Sequence, residues 1–230
     1  MNNTVLLSIR GVSNVYTDRR FNAFGKIDKK PVLNNVNLDI NKSEIFGLTG
    51  KSGCGKTTLA RCILGLTEYT GDIFLNGNKQ TKPSPRIQMV FQDPGLSLNP
   101  AKKIGWLMEE PLLIHKIGSK QERSKIADEM LCRAGLDTSY RKRRVHELSG
   151  GQKQRVCIGR SLILKPSLLI ADEAISSLDV SAGAQILNLF RELHKNLGLS
   201  ILFISHNKDA VEYLCGRIAV MEKGTINYIN

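Results

Sequence analysis

No stretch of the 230 residues approaches the run of about 18 apolar side chains that a membrane-spanning helix needs. The longest apolar runs, such as residues 200–205 (SILFIS), are strand-sized, so the chain is not expected to form a channel or permease by itself. The opening MNNTVLLSIRG lacks the basic n-region and long apolar h-region of a secretory signal, and a cytoplasmic location is expected. Cysteine is sparse: Cys54, Cys62, Cys132, Cys157 and Cys215 stand singly, with no C-x-x-C pair. That argues against a zinc ribbon or a thioredoxin-type redox site. Isolated thiols suit a reducing compartment and read as small buried hydrophobes. There are no internal repeats and no low-complexity tracts. Positive charge is in excess, with 33 Lys+Arg against 21 Asp+Glu for a net +12. Nucleic acid, an anionic membrane surface, a phosphorylated ligand or plain solvated surface would each fit it. An apolar share of 41% with 23% charged residues excludes global disorder, and the length suits one large domain or two small ones.

Residues 5–10 and 36–40 alternate apolar and polar side chains as half-buried strands do. Between them residues 18–30 (DRRFNAFGKIDKK) are basic and read as an exposed loop. A short buried strand at 45–49 runs into a Gly-rich turn and a helix at 56–64, and strands follow at 72–76 and 87–91. Residues 104–135 have helical periodicity with a break at Gly118–Ser119, which suggests a helical subdomain inserted in a strand-rich frame. The basic run Arg141, Lys142, Arg143, Arg144 reads as a solvated face, or else as a contact with a partner or acidic lipid. Helices at 152–164, 182–195 and 208–215 then alternate with strands at 168–171, 200–204 and 217–227. That alternation predicts an α/β core with a mostly parallel sheet.

Gly50-Lys51-Ser52-Gly53-Cys54-Gly55-Lys56-Thr57 matches G-x-x-x-x-G-K-[ST], between a strand and a helix. Such glycines let backbone amides wrap a phosphate. Lys56 would reach the β- and γ-phosphates, and the Thr57 hydroxyl would bind Mg²⁺. Residues 168–173 (LLIADE) form an apolar strand that delivers two carboxylates to the edge of the sheet where nucleotides bind. Asp172 would hold Mg²⁺, and Glu173 would polarise the attacking water as general base. His115, His146 and His194 have no partners at metal spacing and are assigned no site.

Leu148-Ser149-Gly150-Gly151-Gln152, ahead of a helix, resembles the signature of the ATP-binding-cassette (ABC) ATPases. Other marks of that family follow in order: Gln92 resembles its Q-loop glutamine, Ser177-Leu178-Asp179 its D-loop, His206 its switch histidine, and Tyr16 the aromatic that stacks on adenine. The resemblance implies one ABC domain over residues 1–230. Its P-loop NTPase core would have a mostly parallel sheet, an N-terminal antiparallel β subdomain and a helical insert at about 95–160. It also implies two cassettes head to tail around two ATP molecules. Tyr16, Gly50, Ser52, Gly53, Cys54, Gly55, Lys56, Thr57, Thr58, Gln92, Asp172, Glu173 and His206 would serve one ATP. Ser149, Gly150, Gly151 and Gln152 would face the ATP of the partner, and Asp179 would tie the cassettes together. Gln92 would sense Mg²⁺ and the water, and His206 would hold the γ-phosphate in line.

Phe91-Gln92-Asp93-Pro94 with Ser97-Leu98-Asn99-Pro100 is similar to peptide and nickel importer ATPases, and Gln152-Lys153-Gln154-Arg155 to the second ATPase of nickel importers. The implied assembly is a heterodimer with a second ABC ATPase (a homodimer being the alternative) and two membrane permeases. An extracytoplasmic solute-binding protein would act indirectly, while this chain would sit peripherally at the cytoplasmic face of the membrane, with no nucleic acid as partner. Import of nickel, a metal chelate or small peptides is expected. The rivals are a soluble ABC ATPase acting on nucleic acid or ribosomes, an exporter ATPase, and an ordinary P-loop kinase or GTPase. Three residues depart from the family pattern: Ala174 stands for Pro, Asn207 for Asp and Gly159 for Ala. The end at Asn230 is expected to leave a short tail or none.

Overall fold

The computed structural model describes residues 4–18 and 28–229. In chain order the elements begin with β1 (Val5–Asp18), β2 (Asp28–Asn41), β3 (Ile45–Thr49), α1 (Lys56–Ile63), β4 (Thr70–Leu75), β5 (Asn78–Lys79) and β6 (Ile87–Val90). Next come α2 (Pro94–Ser97), α3 (Ile104–Ile114), α4 (Lys120–Arg133), two 3-10 turns (Thr138–Lys142 and Val145–Glu147), α5 (Gly150–Leu162) and β7 (Leu168–Asp172). The last are α6 (Val180–Leu197), β8 (Ser200–Ile204), α7 (Lys208–Leu214), β9 (Arg217–Glu222) and β10 (Thr225–Ile229). The chain divides into two compact units, Met1–Ser84 with Leu202–Asn230, and Pro85–Ile201. Strands and helices alternate with parallel pairing in each unit, so the fold is α/β as expected.

In the first unit an antiparallel sheet runs in the order β2-β1-β4-β5. Its alternating side chains give one apolar face, in which Leu7, Ile9, Val12, Leu38, Ile40 and Ile73 are buried. Ile9 sits opposite Leu38 on one side and Ile73 on the other. The β1–β2 ladder continues to Asp18 opposite Asp28. Both ends of the expected loop at 18–30 are therefore strand, while residues 19–27 lie outside the described residues. The second sheet of this unit runs in the order β10-β9-β3-β8, with β3 parallel to β9. Every residue of β3 is buried, as a strand covered on both faces requires. β9 and β10 form a hairpin around Lys223 and Gly224, whose φ values of 45° and 80° make the two-residue turn that a right-twisted hairpin favours.

In the second unit β6 and β7 pair in parallel, from Ile87 opposite Leu168 to Val90 opposite Ala171. α5 packs on β6, and α3, α4 and α5 pack on one another. Ser119 caps α4 reciprocally with Glu122, which explains the break read at Gly118–Ser119. A Cβ at Gly159 would lie 3.0 Å from the Met130 carbonyl oxygen and 3.1 Å from Met108 Cε. Glycine here lets α5 approach α3 and α4 closely, which offsets its poor helix propensity.

The basic run is only in part a solvated face. Arg141 forms an ion pair with Glu109 of α3 and another, at 2.9 Å, with Asp128 of α4, and donates to the Ser124 carbonyl. Burial opposes the charge of Arg141, but the hydrogen bonds to Asp128 and Glu109 outweigh it and hold the cation above its ordinary pKa. Arg143 lies over the Tyr140 ring at 4.1 Å, and Arg144 donates to the Ala101 carbonyl. Lys142 and Arg144 are exposed.

Candidate functional site

β3 ends at Thr49 and the chain enters a tight loop, residues 50–55, ahead of α1. Gly50 adopts φ 149°, and a Cβ there would be 2.3 Å from the Met221 carbonyl oxygen, so only glycine fits. The Gly224 amide of the β9–β10 turn donates to the Cys54 carbonyl at 3.0 Å, and the Asn34 amide donates to the Gly224 carbonyl at 2.9 Å. The hairpin thus braces the loop from outside. Sequence reasoning missed this brace, although Lys223-Gly224 between two alternating segments is a turn signal.

Gly55 stands at the N-cap of α1, with no side-chain cap and no acidic residue in the first turn. Ser119, Ser149 and Asp179 cap α4, α5 and α6 with their own oxygens, whereas α3, behind Lys103, is uncapped like α1 but has no glycine-rich loop ahead of it. The positive end of α1 is thus left to an external anion. Lys56 is buried, and its ammonium donates to the Gly50 and Lys51 carbonyls at 2.7 and 3.2 Å, which folds it back over the loop. Ser52, Gly53 and Thr57 are exposed, while Cys54 and Thr58 are half-buried. Backbone amides, one ammonium and a hydroxyl are a donor set for a polyphosphate.

β8 lies beside β3 and ends level with it, because the Ser205 amide donates to the Leu48 carbonyl at 3.2 Å. His206, exposed, therefore leaves the same sheet edge as Gly50. Asn207, where Asp is usual, caps α7 by accepting from the Ala210 amide at 3.0 Å, a task either side chain performs. Tyr16 sits in β1 opposite Lys30 and is 60% exposed, so it is not a core aromatic.

In the second unit Val90 is opposite Ala171, so the ends of β6 and β7 share one edge. Gln92, exposed, follows β6; Asp172, buried at 4% exposure, ends β7. Glu173 has φ 51°, a left-handed backbone rarely taken by a non-glycine residue. Its carbonyl accepts from the Ser176 amide and hydroxyl at 3.1 and 2.9 Å, which fixes the sharp turn after the strand. The Asp172 carboxylate is a hard oxygen donor of the kind Mg²⁺ takes.

Ser149 caps α5 in a reciprocal box with Gln152, leaving Gly150 and Ser149 exposed at its positive end. The Gln152 carboxamide donates to the Tyr140 hydroxyl at 3.0 Å, a partner absent from the sequence reading. Ser149, Gly151, Gln152 and Asp179 line one cleft of about 400 Å³ together with Arg155 and Gln185. Asp179 also caps α6 through the Ala182 amide at 2.8 Å. Unit by unit, the structure groups the residues in three sets. The loop 50–58 gathers with His206, Gln92 with Asp172 and Glu173, and Ser149 to Gln152 with Asp179.

The sequence profile of the family described as ABC transporter matches residues 33–176. The chain is 40% identical over 243 residues to the dipeptide transport ATP-binding protein DppF of Haemophilus influenzae, covering 99% of this chain and 74% of that one. It is 43% identical over 216 residues to the oligopeptide transport ATP-binding protein AmiF of Streptococcus pneumoniae, covering 89% of this chain and 70% of that one. Among solved structures it is similar to an ATP-binding cassette seen as a dimer in a post-hydrolysis state with ADP and phosphate. The TM-score is 0.81 at 28% identity, covering 98% of this chain and 99% of that one. Among the described residues no helix is long and apolar enough to cross a membrane.

Proposed function

The chain belongs to the ABC transporter family, and on that premise we propose that it is the ATP-hydrolysing subunit of an importer of small peptides. The observation that carries the activity is the uncapped first turn of α1, with the Lys56 ammonium folded over a loop that only glycine can form. The names of relatives at 40% and 43% identity support peptides as the cargo rather than nickel.

The proposed roles follow from the chemistry of each group. The amides of residues 50–57 and the Lys56 ammonium hold the β- and γ-phosphates, while Tyr16 stacks on the adenine. Thr57 and Asp172 would hold Mg²⁺, near which Gln92 would stand, and the metal would supply neutralisation of the charge on the phosphoryl oxygens. Glu173 takes a proton from the attacking water as its oxygen bonds to the γ-phosphorus and the bond to ADP breaks, and His206 keeps the water in line. Ser149, Gly150 and Gly151 offer the positive end of α5 to a γ-phosphate held by a partner cassette, with Asp179 at the contact. The dimeric cassette similar to this chain supports that pairing. The whole chain is proposed as one cassette whose helices at about 95–160 meet the permeases, at the cytoplasmic face of the membrane.

The test is uptake by the assembled transporter in proteoliposomes. ATP-dependent accumulation of radiolabelled di- or oligopeptide, lost in Lys56→Ala, is expected. Uptake of radiolabelled nickel without peptide uptake, or ATP turnover stimulated by nucleic acid instead of by the transporter, would overturn the proposal.

A further inference from the structure

Gln154 lies in the first half of α5 at 0% exposure. Among the described residues neither its carboxamide nitrogen nor its carboxamide oxygen has a hydrogen-bond partner. Burying an amide with both ends unmatched destabilises a fold. Where a protein keeps such a group, the group calls for an explanation beyond packing.

Its place on α5 supplies one. Three residues on, and so on the same helix face, the Cys157 thiol lies 3.9 Å from the Pro94 carbonyl oxygen. Pro94 directly follows Gln92 and Asp93. Two residues before Gln154 is Gln152, tied to Ser149 and Tyr140. One rigid helix thus joins the Ser149–Gly151 end to the segment that carries Gln92. That segment is exposed at Phe91, Gln92 and Asp93 and lies between β6 and the four-residue α2.

We propose that Gln154 is a positioning residue that acts through Gln92. Its carboxamide, unmatched in the conformation described above, pairs with the backbone of residues 91–94 in a second conformation, the one in which Gln92 engages the nucleotide. The bond gained there favours that conformation and transmits it along α5 to the signature end. This rests on the ATPase reading of the preceding subsection.

The test is Gln154→Met, which keeps volume and flexibility but removes both polar atoms. Two quantities are read: thermal unfolding of the chain alone, and steady-state ATP hydrolysis by the assembled transporter. The expected result is an unchanged melting temperature, or one raised by a few degrees. With it, kcat falls about tenfold while KM for ATP stays within about twofold. A lowered melting temperature would show that the amide is already satisfied in the resting fold and would overturn the proposal. So would an unchanged kcat, or a rise of KM in step with the fall in kcat. A wild-type complex without ATP turnover would instead sink the ATPase reading itself, and the two failures are told apart by the wild-type control.

Discussion

Replacing Gly224 with alanine should weaken nucleotide binding although the residue belongs to no nucleotide motif. Its φ of 80° costs an alanine about 1–2 kcal/mol. The added Cβ would also stand 2.3 Å from the Val32 carbonyl oxygen and 3.2 Å from Leu33 Cα. Backbone cannot swing aside as a side chain can, so the turn must withdraw by roughly 1 Å to reach ordinary contact. That movement lengthens the bonds from Gly224 to the Cys54 carbonyl and from Asn34 to Gly224, each worth about 1 kcal/mol. Together the cost is about 3–4 kcal/mol. If about 1.4 kcal/mol of it falls on the conformation of residues 50–55, ATP binds tenfold more weakly. Gly77→Ala is the control, because Gly77 has φ 75° but nothing within 4 Å of its would-be Cβ. It carries the backbone cost alone, about 1–2 kcal/mol, at a turn that does not touch the loop. Equilibrium binding of a fluorescent ATP analogue, with thermal unfolding in parallel, separates the two effects. The expected pattern is a tenfold loss for Gly224→Ala and none for Gly77→Ala. Equal affinity of Gly224→Ala and wild type, or an equal loss in both variants, would refute the brace.

Arg141→Met should destabilise the second unit by about 2–3 kcal/mol, because it leaves Glu109 and Asp128 without their cation; chemical denaturation measures it, and a loss under 0.5 kcal/mol would return the run to ordinary solvated surface. Burial pushes the thiols of Cys157 and Cys215 up to about 12 and that of Cys62 up to about 11. Alkylation at pH 8 should therefore reach exposed Cys132 first and leave those three silent until the chain unfolds. The sign of the linkage follows: a raised folded pKa lets only the unfolded chain ionise as pH rises past about 9, so melting temperature should fall between pH 9 and 11. The isolated chain should hydrolyse ATP slowly if, as proposed, the signature residues act on a nucleotide held by a partner cassette; fast turnover by a proven monomer would contradict that.

The order of strands and helices was legible because its signals are local. Alternation marks β1 and β2, the apolar pentads mark β3, β7 and β8, and Ser119 with Glu122 marks the start of α4. The glycine-rich loop between β3 and α1 and the strand that ends in Asp172 were legible for the same reason, each being a short contiguous motif. What stayed hidden depends on residues far apart in sequence. The brace of Gly224 on Cys54 spans most of the chain, and Arg141 reads as one charge in a basic run until α3 and α4 bring Glu109 and Asp128 to it. In sequence Gly159 is only a departure from the family's alanine, because the Met130 carbonyl that excludes a methyl group is contributed by another helix. The reach of the strands to Asp18 and Asp28 was missed because pairing overrode a basic, glycine-containing composition.

The most direct measurement is steady-state phosphate release by the assembled transporter with Glu173→Gln in this chain, read beside ATP retention on the same sample. With one carboxylate oxygen replaced by an amide, the group still fits the turn at φ 51° but no longer accepts a proton from water. The account predicts that ATP stays bound and that hydrolysis at this chain's site is lost, by a factor of about 10² or more. Phosphate release at the wild-type rate from that site, or loss of ATP binding together with hydrolysis, would contradict it.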